Sequence, residues 1–172
     1  MCRSSTRTFA NSPAPPVEGV LIRAAGDTAS IAQCRDLFLE YQEGLGVSLC
    51  FQGFDREVAT LPGDYAPPRG GLWLAEVDGE LAGCVALRAL GNGDAEMKRL
   101  YVRSRYRGRQ LGRALAEQAI RAAREKGYRT LKLDTLPSMT QAQRLYAGLG
   151  FAPTAAYNDN PVDGVRFLAL AL

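Results

Sequence analysis

The chain contains no histidine in its 172 residues. That excludes Ser-His-Asp and Cys-His nucleophilic machinery, histidine-ligated zinc and the usual imidazole base. Acid–base work falls to Glu, Asp, Tyr, Lys or Cys. Cysteine is sparse: Cys2, Cys34, Cys50 and Cys84 show no C-x-x-C spacing, which reads as reduced thiols in a cytoplasmic protein, without a disulfide framework or a metal site. No apolar run approaches the ~18 residues that cross a bilayer. Residues 1–16 lack the continuous apolar stretch of a secretory signal and read as a disordered Ser/Thr/Pro tail. Residues 17–172 then form one domain, with the 47% hydrophobic and 23% charged content of a soluble globular protein. The net charge of +3 is mild, and its basic residues gather at one turn, which favours a local anionic ligand over nucleic acid.

That turn is the most informative segment. An apolar strand, Met97-Lys98-Arg99-Leu100-Tyr101-Val102, runs into Arg107-Gly108-Arg109-Gln110-Leu111-Gly112, and an amphipathic helix follows directly. Leu111, Ala114, Leu115, Ala119 and Ala122 form its apolar stripe, and Gly127 stands where a left-handed residue ends a helix. The first N–H groups of a helix have no intrahelical acceptor, and the helix dipole favours negative charge there. Arg103, Arg105, Arg107, Arg109 and Arg113 add positive charge. A pyrophosphate or phosphorylated cofactor suits this arrangement; the plainer alternative is a solvated arginine face on a core helix.

The remaining pattern is a strand over Glu18 to Ala24, a helix over Thr28 to Gly44 capped by Asp27, and a short helix over Phe54 to Leu61. A hairpin of Gly71 to Val77 and Leu81 to Leu90 turns at Asp78-Gly79. Further strands run over Ala95 to Val102, Thr130 to Thr135 and Val165 to Leu170, with a helix over Ser138 to Leu149. This order predicts an α+β (mixed α/β) fold with a central, mostly antiparallel sheet flanked by helices. The apolar segment Phe167-Leu168-Ala169-Leu170 pairs either between subunits of a homodimer or within one sheet.

Arg107 to Ala114 resembles the acyl-CoA-binding motif of the GNAT N-acetyltransferase superfamily, an Arg/Gln-x-x-Gly-x-Gly/Ala pattern in which Gln110 replaces the central Gly. Leu145-Tyr146-Ala147-Gly148-Leu149-Gly150-Phe151 is similar to the family's late Leu-Tyr-x-x-x-Gly-Phe segment, at the family's spacing. Glu96 to Val102 and Tyr157 to Pro161 resemble a bacterial subgroup with unassigned substrates.

The resemblance implies the GNAT fold, with a sheet splayed between the strands at 95–102 and 130–135, and acetyl-CoA as cofactor. It implies acetyl transfer to a primary amine of a small molecule or a lysine or N-terminus, by direct attack in a ternary complex. Cofactor contacts fall to Leu100, Tyr101, Val102, Arg107, Gly108, Arg109, Gln110, Leu111, Gly112 and Arg113. Tyr146 matches the tyrosine that protonates the departing sulfur. Glu96 is the candidate base and Asp134 the second choice; Ser138 and Thr140 cap a helix or reach the cofactor. On the acceptor side stand Tyr41, Phe51, Phe54, the loop to Tyr65, and Tyr157 to Pro161, with Glu40, Glu43, Asp55, Asp64 and Asp159 supplying acidic character; packing aromatics and solvated charges are the plainer account of them. Cys50 and Cys84 leave a covalent route open. A non-catalytic acyl-CoA-binding module is the alternative, since it needs the turn but neither Tyr146 nor a base. An RNA-binding domain is a weaker third, since no aromatic platform surrounds the basic turn.

Overall fold

The computed structural model describes residues 18–50 and 53–172, so the tail expected over 1–16 and the acceptor-side residue Phe51 lie outside them. The order is β1 (Val20–Ala24), α1 (Thr28–Leu45), α2 (Phe54–Ala59), β2 (Gly71–Val77), β3 (Glu80–Gly91), β4 (Asp94–Val102), α3 (Leu111–Glu125), β5 (Thr130–Thr135), α4 (Thr140–Gly148), β6 (Ala152–Pro153) and β7 (Arg166–Ala171).

Local chemistry sets these boundaries. At α1 the Asp27 carboxylate accepts from the Ser30 N–H while the Ser30 hydroxyl accepts from the Asp27 N–H, a reciprocal cap; Gly46 closes the helix at φ 68°. The β2–β3 hairpin turns on Asp78 and Gly79 (φ 51° and 82°), and the β3–β4 hairpin on Asn92 and Gly93 (φ 53° and 80°). Two successive positive φ values match the right-handed twist of the flanking strands. Gly127, at φ 80°, ends α3 with its N–H on the Arg124 carbonyl, while the Tyr128 N–H reaches Ala123.

Some expectations shift. Ala114 is half-buried, whereas Ala116, Ile120 and Ala123 join the buried face of α3, because a small-residue helix sits close to the sheet and buries a broader arc. α4 starts at Thr140 after Met139, and no side chain caps it, so Ser138 and Thr140 are not caps. Short 3₁₀ turns over Gly63–Tyr65 and Ser104–Tyr106 occupy segments expected as loop.

The strands form one sheet in the order β1-β2-β3-β4-β5-β7-β6, antiparallel except for the β4–β5 pair. β7 pairs with β5 along its length and with β6 at Leu168 and Ala169, so the terminal apolar strand lies within the sheet of one chain. Alternation along the strands sorts the core. Trp73, Ala75, Val85 and Leu87 pack with Leu115, Ala119 and Ile120 of α3, and Leu72, Leu74, Cys84 and Ala86 pack with Ile31, Cys34, Leu37 and Phe38 of α1.

The feature that positions the site is a split. β4 and β5 pair only over Asp94–Glu96 and Thr130–Lys132, although β4 runs on to Val102 and β5 to Thr135. Just past that point β4 carries a bulge: Arg99 and Leu100 stand opposite Val85 alone, and Arg99 adopts φ 57°. A bulge bends its strand and raises the local twist. The left-handed conformation costs a side-chain-bearing residue about 1–2 kcal/mol, and Arg99 is held there from every side. Glu57 accepts two hydrogen bonds from it at 2.8 and 2.9 Å, Phe54 and Tyr41 face its guanidinium, and the Cys84 thiol donates to its carbonyl.

Candidate active site

A cleft of about 910 Å³ opens beside the free end of β4, between the α3 start and the α4 start. Its walls are Leu100, Tyr101 and Val102 of β4, the turn residues Arg107, Gly108 and Gln110, the α3 start at Leu111, Gly112 and Arg113, and Ser138, Thr140 and Leu145 from the α4 region. No side chain caps α3, so its first N–H groups face the cleft with the helix dipole behind them. Gln110 precedes the helix at φ 59°, ψ 16°, so the position of the motif's central Gly keeps its left-handed conformation at the expense of strain. A Cβ built at Gly112 would meet only Leu145, at an ordinary 3.6 Å, which leaves the space over the helix start open.

Of the five arginines near the turn, two serve the fold. Arg103 makes a bidentate pair with Glu40 (3.0 and 2.7 Å) and also donates to the Leu81 carbonyl. Arg105 pairs with Glu80 at 3.2 Å and stacks on Tyr106. Arg109 is exposed and does not line the cleft. Arg107 and Arg113 do, although Arg113 also reaches Glu117 at 3.1 Å. Backbone N–H groups of the α3 start and two arginines, Arg107 and Arg113, therefore stand at this end of the cleft.

Deeper in the split lies a second pocket that shares Tyr41, Leu45, Leu100 and Met139 with the cleft. Tyr146 lines it, buried at 5% exposure and edge-on to Phe151. Among the described residues its hydroxyl has no hydrogen-bond partner. Burial raises its pKa, with Tyr41 and Asp134 adding to the effect. Asp134 lines the same pocket, and its Oδ2 accepts from the side-chain amides of Asn158 and Asn160, both at 3.1 Å. Thr135 also lines it, with a buried hydroxyl oxygen that has no partner; leaving such a group unsatisfied costs about 1–3 kcal/mol.

Glu96, the candidate base from sequence, is enclosed behind the pocket. Its side chain is fully enclosed and not part of the pocket wall. Oε2 accepts from Arg88 at 2.7 Å, Oε1 accepts from the Tyr157 hydroxyl at 2.9 Å, and Lys98 Nζ stands 3.7 Å from Oε1. Burial drives the Tyr157 pKa upward and Glu96 adds to the rise, so the phenol keeps the proton it donates. Lys98 lines the pocket; burial pulls its ammonium downward and Glu96 opposes that.

The acceptor-side expectation divides. Tyr41 and Asn160 line the pocket. Phe54 and Tyr65 are core residues, the latter donating to Glu57 at 2.8 Å. The cysteines leave the chemistry: Cys84 lies in the core with its thiol raised by burial, Cys34 is pushed up to about 12 by burial, and Cys50 is exposed outside both pocket walls. The sequence reading missed Lys98, Arg99, Arg88 and Glu57. Its available signal was a cluster of charges, Glu96, Lys98 and Arg99, inside a strand otherwise apolar enough to be central.

The walls fit the acyl-CoA that the sequence resemblance implies. Uncapped N–H groups and arginines suit a pyrophosphate, the unpaired edge of β4 beyond Glu96 suits an amide-bearing arm, and the buried Thr135 oxygen waits for a polar partner. A model of the acetyltransferase (GNAT) family matches residues 32–151. An uncharacterized N-acetyltransferase of Schizosaccharomyces pombe is 39% identical over 138 residues, which cover 79% of this chain and 85% of that one. Among solved structures, an acetyltransferase from Streptococcus agalactiae superposes with a TM-score of 0.75 at 23% identity, over 90% of this chain and 99% of that one. A GNAT family acetyltransferase from Elizabethkingia anophelis with acetyl-CoA bound gives 0.66 at 21% identity, again over 90% and 99%. At such identities the two structures speak to the fold alone. A yeast protein thus stands beside bacterial ones, and the expected bacterial subgroup is not singled out. No helix among the described residues is long and apolar enough to cross a membrane. Split sheet, uncapped helix start and family match agree: the chain belongs to the GNAT family and is an N-acetyltransferase.

Proposed function

We propose that the protein acetylates a primary amine directly in a ternary complex with acetyl-CoA bound in the cleft beside the free end of β4. The observation that carries this reading is the convergence of the uncapped α3 N-terminus and the buried Tyr146 on one split in the sheet.

Bound acetyl-CoA supplies an activated thioester: the amine nitrogen bonds to the acetyl carbon, the C–S bond breaks, and the sulfur leaves as a thiolate that needs one proton. The N–H groups of Leu111, Gly112 and Arg113, with Arg107 and Arg113, hold the pyrophosphate. Leu100, Tyr101 and Val102 orient the arm through backbone groups that have no β5 partner. Asp134 Oδ1 takes the proton that the amine loses, because Asp134 lines the pocket while Asn158 and Asn160 fix its other oxygen. Tyr146 Oη gives a proton to the sulfur; burial keeps the phenol protonated, so the proton is in place when the thiolate departs. Glu96 supports the wall by anchoring Tyr157 and Arg88 behind Lys98.

Thiol release with a panel of amines tests the assignment. Asp134→Asn and Tyr146→Phe are each expected to lower kcat by about 10²-fold or more while acetyl-CoA still raises the melting temperature. A Tyr146→Phe enzyme with wild-type turnover contradicts the acid role, and a full-speed Asp134→Asn enzyme contradicts the base role.

A further inference from the structure

We propose that Tyr157 is a positioning residue for the base: its hydroxyl on Glu96 pins the segment that carries Asn158 and Asn160, and that segment holds Asp134 in place. The assignment rests on the acetyl-transfer reading above. The segment, 154–165, joins β6 to β7 without helix or strand. At its ends the Thr154 N–H donates to the Phe167 carbonyl and the Val165 N–H to the Val162 carbonyl. Between them, side chains tie it to the sheet.

Tyr157 spans three neighbouring strands. Its ring stands edge-on to Phe167 of β7 at 5.5 Å, Lys132 of β5 lies 5.7 Å from the ring centroid, and its hydroxyl donates to Glu96 of β4 at 2.9 Å. Glu96 and Lys132 form the last paired rung between β4 and β5, so this contact sits at the fork where the sheet opens. The anchor itself is fixed. Glu96 is wholly buried, and Arg88 holds its other oxygen at 2.7 Å. A hydrogen bond to a carboxylate is stronger than one between neutral groups, and burial, with Glu96 adding to it, keeps the phenol protonated.

Two residues beyond that rung on β5 stands Asp134, and the amides next to Tyr157 are oriented toward it. Asn158 Oδ1 accepts from the Asn160 N–H at 3.1 Å, and Asn160 Oδ1 accepts from the Val162 N–H at 3.0 Å. Each amide oxygen is committed to the backbone, so each amide nitrogen is the group that donates to Asp134 Oδ2, both at 3.1 Å. Misplacing a reacting group by about 1 Å can cost about 10²-fold in rate, so freeing the segment is felt at the base. Neither Tyr157 nor the two asparagines line the cofactor cleft.

Tyr157→Phe keeps the ring against Phe167 and Lys132 and removes only the hydroxyl. The full-length protein is assayed by thiol release with ethylamine, benzylamine and lysine methyl ester. Tyr157→Phe is expected to lower kcat about tenfold, while KM for acetyl-CoA and CoA affinity by calorimetry stay within twofold of wild type. In an Asp134→Asn background the same change should lower kcat less than twofold, because the group it positions is gone. Hydrogen exchange, which needs no acceptor, should accelerate about tenfold over 157–162 in Tyr157→Phe. Should that variant fail to fold, Asn160→Ala carries the same comparisons from the other end of the segment. Wild-type kcat, an equal fall in both backgrounds, or unchanged exchange overturns the proposal. A full-speed Asp134→Asn enzyme would instead overturn the base assignment beneath it, and a wild type that releases no thiol with any of these amines would overturn the acetyl-transfer reading.

Discussion

Replacing Glu57 with glutamine strips the charge from a carboxylate that closes over a guanidinium almost without water. The Arg99 side chain is 3% exposed and that of Glu57 14%, and two hydrogen bonds of 2.8 and 2.9 Å join them. Glutamine keeps one acceptor oxygen but turns an amide donor toward an arginine that has only donors. Breaking a buried pair on one side costs about 3–5 kcal/mol, because the remaining charge is left uncompensated. A domain of this size loses roughly 2–4 °C of melting temperature per kcal/mol, so Glu57→Gln is expected to melt roughly 6–20 °C lower. Urea unfolding should show the same loss as a lower midpoint with an unchanged slope. The pH dependence follows from the direction of the Glu57 shift. Burial alone would raise its pKa, but the Arg99 hydrogen bonds and charge outweigh that and hold the folded value below the ordinary 4.5. Folding then favours the ionised form, so the stabilisation is complete above about 4.5 and disappears as pH falls through the lower folded value. The gap between wild type and variant should close accordingly in acid. A loss under 1 kcal/mol at neutral pH refutes the reasoning, since the pair would then behave like a solvent-screened one.

Other variants probe the same framework. Gln110→Gly relieves a left-handed conformation that costs about 1–2 kcal/mol and gives back about 0.5–1 kcal/mol in unfolded-chain entropy. A small rise in melting temperature is expected, and a fall would show that the Gln110 side chain contributes a contact. Gly83→Ala drives a Cβ into the Tyr101 carbonyl oxygen, in the strand that walls the cleft. It should destabilise by about 1–3 kcal/mol and weaken acetyl-CoA binding, and normal melting with normal affinity would contradict it. The Tyr146 phenol is raised above its ordinary 10.0 by burial. The kcat profile should therefore rise as the amine deprotonates and show no descending limb below pH 10; a limb at pH 8–9 that vanishes in Tyr146→Phe contradicts the assignment.

Much of this was legible from local signals. The positive-φ turn of the β2–β3 hairpin wrote itself as Asp78-Gly79, the α1 cap as Asp27, and the α3 stop as Gly127, because each depends on a few neighbouring residues. The strand, turn and helix start that wall the cleft were legible too, since they are contiguous in sequence. What escaped depends on contacts across the chain. Glu57 lies 42 residues from Arg99 and Glu40 lies 63 from Arg103, so nothing local shows that those charges are paired. The same distance hid the enclosure of Glu96 by Arg88 and Tyr157, and left Asp134, the second choice from sequence, as the carboxylate in the pocket wall. The bulge at Arg99 has no glycine to announce it, because its strain is held by distant partners.

The most direct test of the central claim is a thermal-shift titration with acetyl-CoA and CoA, with ATP as the control. A ligand at 100 times its Kd that binds only the folded state adds about 2.7 kcal/mol, or roughly 5–11 °C for a domain of this size. Both CoA species should produce such a shift, and charge reversal at Arg107 and Arg113 should reduce it. No shift with either species, or an equal one with ATP, would contradict the account.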